Sequence, residues 1–258
     1  MLLAMDIGNT NTVLGLFDGD ELIRDWRIRT EVNATVDEYG ILVRNLFHAG
    51  EFPLAQVRNV IVSCVVPPVL NAAEAFCRKY LNLDPLVVGP GAKTGMPVFY
   101  DNPKEVGADR IVNAVAAYEA TRKATVVVDF GTATTFDLVS SRGEYLGGVI
   151  SPGIMISCEA LFQKASKLPR VEIFARPSSI LAKNTIASMN AGIVFGYAGL
   201  VEGIIRRIKK ETGEDLGVIA TGGLAPLIAA ECPAIDEVDE HLTLKGLRIL
   251  FQRNVAGA

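Results

Sequence analysis

The sequence predicts an α/β fold of two similar halves, each a mixed sheet flanked by helices, and three observations carry that prediction. Asp6-Ile-Gly-Asn-Thr-Asn-Thr12 recurs as Asp129-Phe-Gly-Thr-Ala-Thr-Thr135. Each copy joins an apolar run to a second alternating run, a polar turn follows, and a third strand comes after it. Beyond these units, helical and strand periodicities alternate along the chain. Two such halves with their polar turns facing each other suggest a nucleotide cleft between two lobes. No linker, low-complexity tract or charge block marks the division, which is placed near residue 118, giving lobes 1–118 and 119–258.

In order, the first half opens with a strand at Leu2 to Met5, the repeated turn, a strand at Val13 to Phe17, a tight turn at Asp18-Gly19-Asp20 and a strand at Glu21 to Ile28. An amphipathic helix is expected over Val36 to His48, and a buried strand over Val57 to Val66, ended by Pro67-Pro68. A helix over Val69 to Leu81 and a short strand at Leu86 to Val88 follow. The second half repeats the opening with strands at Thr125 to Val128, Phe136 to Val139 and Glu144 to Ile150, turning at Ser141-Arg142-Gly143. It continues with a helix over Asn184 to Thr212, a strand at Gly217 to Ala220, a helix from about Pro226 and a terminal helix over Leu244 to Asn254.

Composition narrows the function classes. At 258 residues and 50% hydrophobic content the chain can bury a full core. A net charge of −4 leaves no basic surplus to neutralise a nucleic acid backbone or hold an anionic membrane, so neither partner is expected. The four cysteines form no CxxC pair and only His48 and His241 could join them, which argues against structural zinc and for reduced cytosolic thiols. The apolar start is broken by Asp6 and lacks a basic leader, so export is not expected and the location is read as cytoplasmic. The uncharged run from Asn184 to Val201 approaches membrane-spanning length but carries Asn184, Ser188 and Asn190, and is read as a buried helix. Its glycines, Gly192, Gly196, Gly199 and Gly203, share one face, which would let another helix approach closely within the core or across a dimer.

The repeated turn has the chemistry of a phosphate site. Glycine beside Asn and Thr lets backbone N–H groups reach phosphate oxygens, which suits Gly8, Asn9, Thr10, Asn11 and Thr12, and also Gly131 and Thr132. One such turn is equally at home in an ordinary hairpin. Two copies, with Ala220-Thr-Gly-Gly-Leu224 directly after an apolar strand, favour nucleotide binding, Gly222 and Gly223 leaving room for a flat adenosine. A plain strand-to-helix turn would use the same glycines. Gly89-Pro-Gly-Ala-Lys-Thr-Gly95 mimics a Walker loop but fails its spacing, and is read as a loop able to lid the cleft.

The two Asp-x-Gly turns, Gly107-Ala-Asp-Arg110 and Thr221-Gly-Gly together resemble the type III pantothenate kinases, members of the superfamily of acetate and sugar kinases, heat-shock chaperone ATPases and actin. The resemblance extends through Pro67-Pro68, Val88-Gly-Pro-Gly91, Gly147-Gly-Val-Ile-Ser-Pro-Gly153 and Lys183-Asn-Thr185. It implies two ribonuclease-H-like lobes of the actin-like ATPase type, and ATP-dependent phosphorylation of pantothenate to 4′-phosphopantothenate, the first step of coenzyme A synthesis. By the resemblance Asp6, Ile7, Gly8, Asn9, Thr10, Asn11, Thr12 and Val13 would hold the phosphates of ATP, taken with Mg2+, and Thr132 would add a contact. Asp129 would bind the required monovalent cation, K+ or NH4+, as suits a hard carboxylate ligand. Tyr100, Gly107, Ala108, Asp109, Arg110 and Thr185 would form the pantothenate site.

Within that site Arg110 offers a planar fork for a carboxylate, and Asp109 would be the general base. Without the resemblance, Arg110 reads as a surface or cap arginine and Asp109 as the N-cap of the apolar helix it precedes; base and cap are compatible roles. The resemblance and the glycine-faced helix together imply a homodimer. Two other activities stay open: a kinase of the same superfamily acting on another small alcohol such as a sugar, and an ATP-binding regulatory protein.

Overall fold

The computed structural model describes residues 1–171 and 175–255. The chain forms two compact units. One comprises Met1–Met96, Asp101–Ala116 and the segment from Leu242 onward; the other comprises Pro97–Tyr100 and Ala117–His241.

The first unit is built on β1 (Leu2–Ile7), β2 (Asn11–Asp18), β3 (Glu21–Arg29), β4 (Asn59–Cys64) and β5 (Leu86–Val87), in spatial order β3-β2-β1-β4-β5. β1, β2 and β3 pair antiparallel as successive hairpins, and β4 and β5 add in parallel. Alternation sends Leu3, Met5, Ile7, Leu14 and Leu16 to one face, where they pack with Tyr39, Val43 and Phe47 of α1 (Val36–Ala49) and Val69, Ala73 and Phe76 of α2 (Pro67–Phe76). α1 opens with a capping box in which the Thr35 N–H donates to Glu38 (2.8 Å) and the Glu38 N–H to the Thr35 hydroxyl (3.3 Å). Pro67-Pro68 does not separate strand from helix as expected: the prolines occupy the first turn of α2, where a missing N–H costs nothing. The expected helix to Leu81 ends in one π turn, Cys77–Leu81, closed by Asn82 at φ 56°.

The other face of this sheet receives α7 (Leu242–Val255), which packs on β1, β2 and β4. A Cβ on Gly15 would lie 2.8 Å from Leu244. A Cβ on Gly246 would lie 2.3 Å from the Val112 carbonyl of α3 (Ala108–Thr121), a backbone contact that requires glycine, whereas at Gly15 it is the end of the Leu244 side chain that crowds the site. The last helix thus joins the first unit rather than 119–258, because only tertiary packing gives its apolar stripe a partner.

The second unit repeats the plan. β6 (Thr125–Phe130), β7 (Ala133–Val139), β8 (Tyr145–Pro152), β9 (Gly217–Thr221) and β10 (Glu237–Val238) lie in order β10-β9-β6-β7-β8, with the same antiparallel and parallel relations. Even the strand irregularities correspond, at Leu16/Phe17 in β2 and Leu138/Val139 in β7. Val126, Val128, Phe130 and Phe136 face a core with α4 (Ile154–Lys164), α5 (Thr185–Thr212) and α6 (Ala225–Ala229).

α4 is absent from the sequence reading because Met155, Ile156, Leu161 and Phe162 stay exposed while Ile154 and Cys158 are buried, so apolar residues run round the helix and erase its contrast. β10 is too short to leave a pattern. α5 is long and apolar enough by length and composition to cross a membrane, but buries Val194, Tyr197, Ala198, Val201 and Ile205 in the unit's core. Its glycine face is not packed within the described chain. A Cβ at Gly192, Gly196 or Gly199 would meet nothing within 4 Å.

Candidate active site

In the first unit, the β1–β2 turn is held by its own backbone and by the end of β3. Gly8 N–H donates to the Asn11 carbonyl (3.0 Å) and Thr30 N–H to the Thr10 carbonyl (3.0 Å). The Thr30 hydroxyl donates to the Gly8 carbonyl (2.7 Å) and lies 3.0 Å from the buried Thr12 hydroxyl. Asn9, Thr10 and Asn11 are exposed at the tip, while Asp6 and Val13, opposite each other in the ladder, are half-buried and Ile7 is buried in the core. The result is a pinned loop presenting backbone and amide groups to solvent, the arrangement a phosphate chain needs. A pocket of about 390 Å³ opens beside Thr12, lined also by Ile28, Arg29, Glu31 and Tyr39.

The same unit carries Gly107, Ala108, Asp109 and Arg110 at the start of α3. The helix begins at Ala108, so Asp109 stands inside its first turn and is not the N-cap expected from sequence. Its Oδ1 accepts the Arg110 N–H at 2.8 Å. A Cβ on Gly107 would lie 2.5 Å from that oxygen, so glycine there makes the space the carboxylate fills. Burial pushes the Asp109 carboxyl above its ordinary range, offset in part by the Arg110 N–H and the Arg110 charge. Arg110 itself is buried, an unusual position for a guanidinium and unlike the surface cap that residue type alone suggests.

In the second unit Asp129, Gly131, Thr132 and Gly222 converge at one end of the sheet. Gly222 has φ +94°, and a Cβ on it would lie 2.7 Å from the Phe130 carbonyl and 2.9 Å from Asp129 Oδ1. Glycine is therefore demanded twice, by conformation and by space, and the Thr221-Gly222-Gly223 turn lies against the second Asp-x-Gly turn. Gly131 N–H donates to the Ala133 carbonyl (3.1 Å), closing the turn like its counterpart at Gly8.

Gly153, which the sequence reading leaves without a role, packs on the Thr132 turn. Its N–H donates to the Thr132 carbonyl (3.1 Å), and a Cβ there would lie 2.1 Å from that oxygen. Behind it the Tyr197 hydroxyl lies 3.0 Å from the Pro152 carbonyl, 3.1 Å from that of Gly153 and 2.6 Å from the Ser157 hydroxyl. No local signal marks Tyr197, which reads as one more core aromatic of α5. Tyr100 is part-exposed, and Thr185 opens α5 after the Asn184 cap, whose Oδ1 accepts the Ala187 N–H (2.9 Å). Thr185 lines a pocket of about 740 Å³ with Leu161, Lys183, Ser188 and Met189, and Tyr100 is not among its walls.

The Walker-like stretch is a loop of the first unit fastened to α7. Lys93 N–H donates to the Asn254 side chain (2.9 Å), which returns a bond to the Lys93 carbonyl (3.1 Å), and Arg253 bonds the Thr94 carbonyl. All four cysteines are free, and burial pushes Cys77 up to about 12. Among the described residues no cluster of three or more His, Cys, Asp or Glu side chains could hold a metal ion.

Comparison with known proteins bears on the fold and on the family. The ethanolamine utilization protein EutJ from Carboxydothermus hydrogenoformans superposes with a TM-score of 0.60 at 14% identity, over 96% of this chain and 89% of that one. The inorganic polyphosphate/ATP-glucomannokinase from Arthrobacter sp. strain KM does so with 0.51 at 15%, over 98% of each. Likeness at those identities is one of fold, and the fold is that of the sugar kinases and actin-like ATPases. The family model for type III pantothenate kinase matches residues 2–207. A type III pantothenate kinase of Syntrophobacter fumaroxidans is 75% identical over 254 residues, covering 98% of both chains. One of Myxococcus xanthus is 60% identical over 257 residues, covering 99% of this chain and 100% of that protein. By the family model and by these full-length identities, this chain belongs to the type III pantothenate kinase family.

Proposed function

We propose that the protein transfers the γ-phosphoryl group of ATP to the primary hydroxyl of pantothenate, the opening step of coenzyme A synthesis, in the cytoplasm. The observation that carries the reading is Asp109: a carboxylate in the first turn of α3, roomed by Gly107, raised by burial and followed by the buried Arg110. In the transfer, the substrate oxygen attacks phosphorus in line, its proton passes to Asp109, and the bond to the β–γ bridging oxygen breaks to release ADP. Charge neutralisation and positioning dominate such reactions, and the pinned turn from Asp6 to Val13, with Thr132, Gly222 and Gly223 of the second unit, suits the nucleotide. Arg110 suits the pantothenate carboxylate, with Tyr100, Ala108 and Thr185 as further contacts.

Asp129 and the Phe130 carbonyl lie beside the Gly222 turn. Carboxylate and carbonyl are hard oxygen ligands, and Asp129 is the residue we propose for a monovalent cation, K+ or NH4+, which would offset phosphate charge. Mg2+ would accompany ATP. The open glycine face of α5 and the exposed Met155, Ile156, Leu161, Phe162 and Ile186 support a homodimer.

A coupled ADP-release assay with pantothenate and Mg-ATP, with and without K+ or NH4+, on wild type and Asp109→Asn tests the reading. Turnover that requires the cation and falls about 10²-fold or more in the variant is expected. Wild type that is silent on pantothenate yet turns over a sugar would overturn the substrate. An Asp109→Asn enzyme with unchanged turnover would overturn the base.

A further inference from the structure

Asp137 is fully buried in β7 and takes no part in the reaction as described. A carboxylate in a strand interior is costly, so its presence asks for a reason. The shared fold does not require it. In the first sheet the residue facing Ala4 is Gly15, kept small by Leu244; the corresponding position in the second sheet, facing Val127, is Asp137.

Its contacts run toward Tyr100. Asp137 Oδ2 accepts the Thr135 hydroxyl (3.1 Å), and Thr135 stands opposite Asp129 in the β6–β7 ladder, on the same sheet face. Asp137 Oδ1 accepts the Tyr145 hydroxyl at 2.7 Å, a bond to the largest fully buried side chain described. Tyr145 in turn anchors the segment Pro97–Tyr100, an outlier in sequence that belongs to this unit. The Tyr145 N–H donates to the Pro97 carbonyl (2.9 Å) and the Phe99 N–H to the Tyr145 carbonyl (2.8 Å). The Tyr100 and Tyr145 ring centroids are 6.3 Å apart. Gly147, which neighbours the Tyr100 ring, is held to glycine by its φ of +116°; a Cβ there would make only an ordinary contact with the ring, at 4.0 Å.

We propose that Asp137 is a positioning residue for substrate recognition: through the Tyr145 hydroxyl it fixes the platform on which Tyr100 meets pantothenate. The proposal rests on the reading of Tyr100 as a substrate contact. Steady-state kinetics on the full-length enzyme with Asp137→Asn, Tyr145→Phe, the double variant and Tyr100→Ala tests it. Tyr145→Phe keeps the ring and both backbone bonds, so it stands in should Asp137→Asn fail to fold. A KM for pantothenate raised about tenfold in Tyr145→Phe, with the KM for ATP within about twofold and the double variant no worse than the worse single, is expected. A lowered melting temperature with neither KM moved, or both KM values raised alike, overturns the positioning role while Tyr100→Ala still raises the pantothenate KM. If Tyr100→Ala leaves that KM unchanged, the reading beneath the proposal falls with it.

Discussion

Asp109 shows how one residue is asked to meet two demands. As the proposed base it would have to be ionised near neutral pH, yet burial disfavours the charged form, and the Arg110 N–H and charge recover only part of that cost. Because the folded-state pKa is raised, this group favours the folded state below its unfolded pKa, and that contribution is lost as pH rises through the folded value. Asp109→Asn removes the titration. The variant's melting temperature should therefore gain on that of wild type as pH rises from below the ordinary carboxylate range to neutral, while its turnover collapses. Thermal melts across that window check the first half; parallel curves would show that folding does not raise the carboxyl. The acid limb of kcat/KM for wild type should correspondingly lie above the usual carboxylate range.

Elements place these residues through their ends. β1 and β6 each carry an aspartate one residue before the strand end and a glycine turn just after it, and a backbone bond from Gly8 to Asn11 or from Gly131 to Ala133 closes the turn. α5 carries Thr185 at one end and Tyr197 in its middle, so the helix that offers a candidate substrate contact also supports Gly153 and the Thr132 turn. Its other end stops at Gly213, at φ +69°, where a Cβ would meet nothing within 4 Å. Backbone strain alone opposes a side chain there. Gly213→Ala should cost about 1 kcal/mol and Gly213→Asn less, since Asn tolerates the left-handed region. Denaturant midpoints report the difference, and an Ala variant as stable as wild type would mean that the helix end simply rearranges.

For the whole molecule, two units of one topology carry different loads. The first holds Asp6 to Val13 together with Asp109 and Arg110; the second holds Asp129, Thr132, Gly222, Tyr100 and Thr185. Duplication explains the matching strand orders and strand irregularities, and divergence explains Gly15 against Asp137. Light scattering at working concentration should give twice the chain mass. Arg or Glu at Gly196, on the open face of α5, should shift that mass toward the monomer. A wild-type monomer would remove the dimer.

The sequence by itself determined the repeat, and with it the strand-turn-strand units, the two aspartates and the turn glycines, because these depend on local periodicity and on conformations few residues adopt. It also carried the family, through motifs spread over most of the chain. Tertiary structure alone decided that α7 packs with the first unit, that Gly107 exists to room Asp109, that Gly153 presses on the Thr132 carbonyl, and that Asp137 reaches Tyr100 through Tyr145. Those facts depend on which side chains meet across long separations in sequence. A buried tyrosine or a small glycine has the same local signature whether it fills a core or holds a site in place, and only the partner it touches tells the two apart.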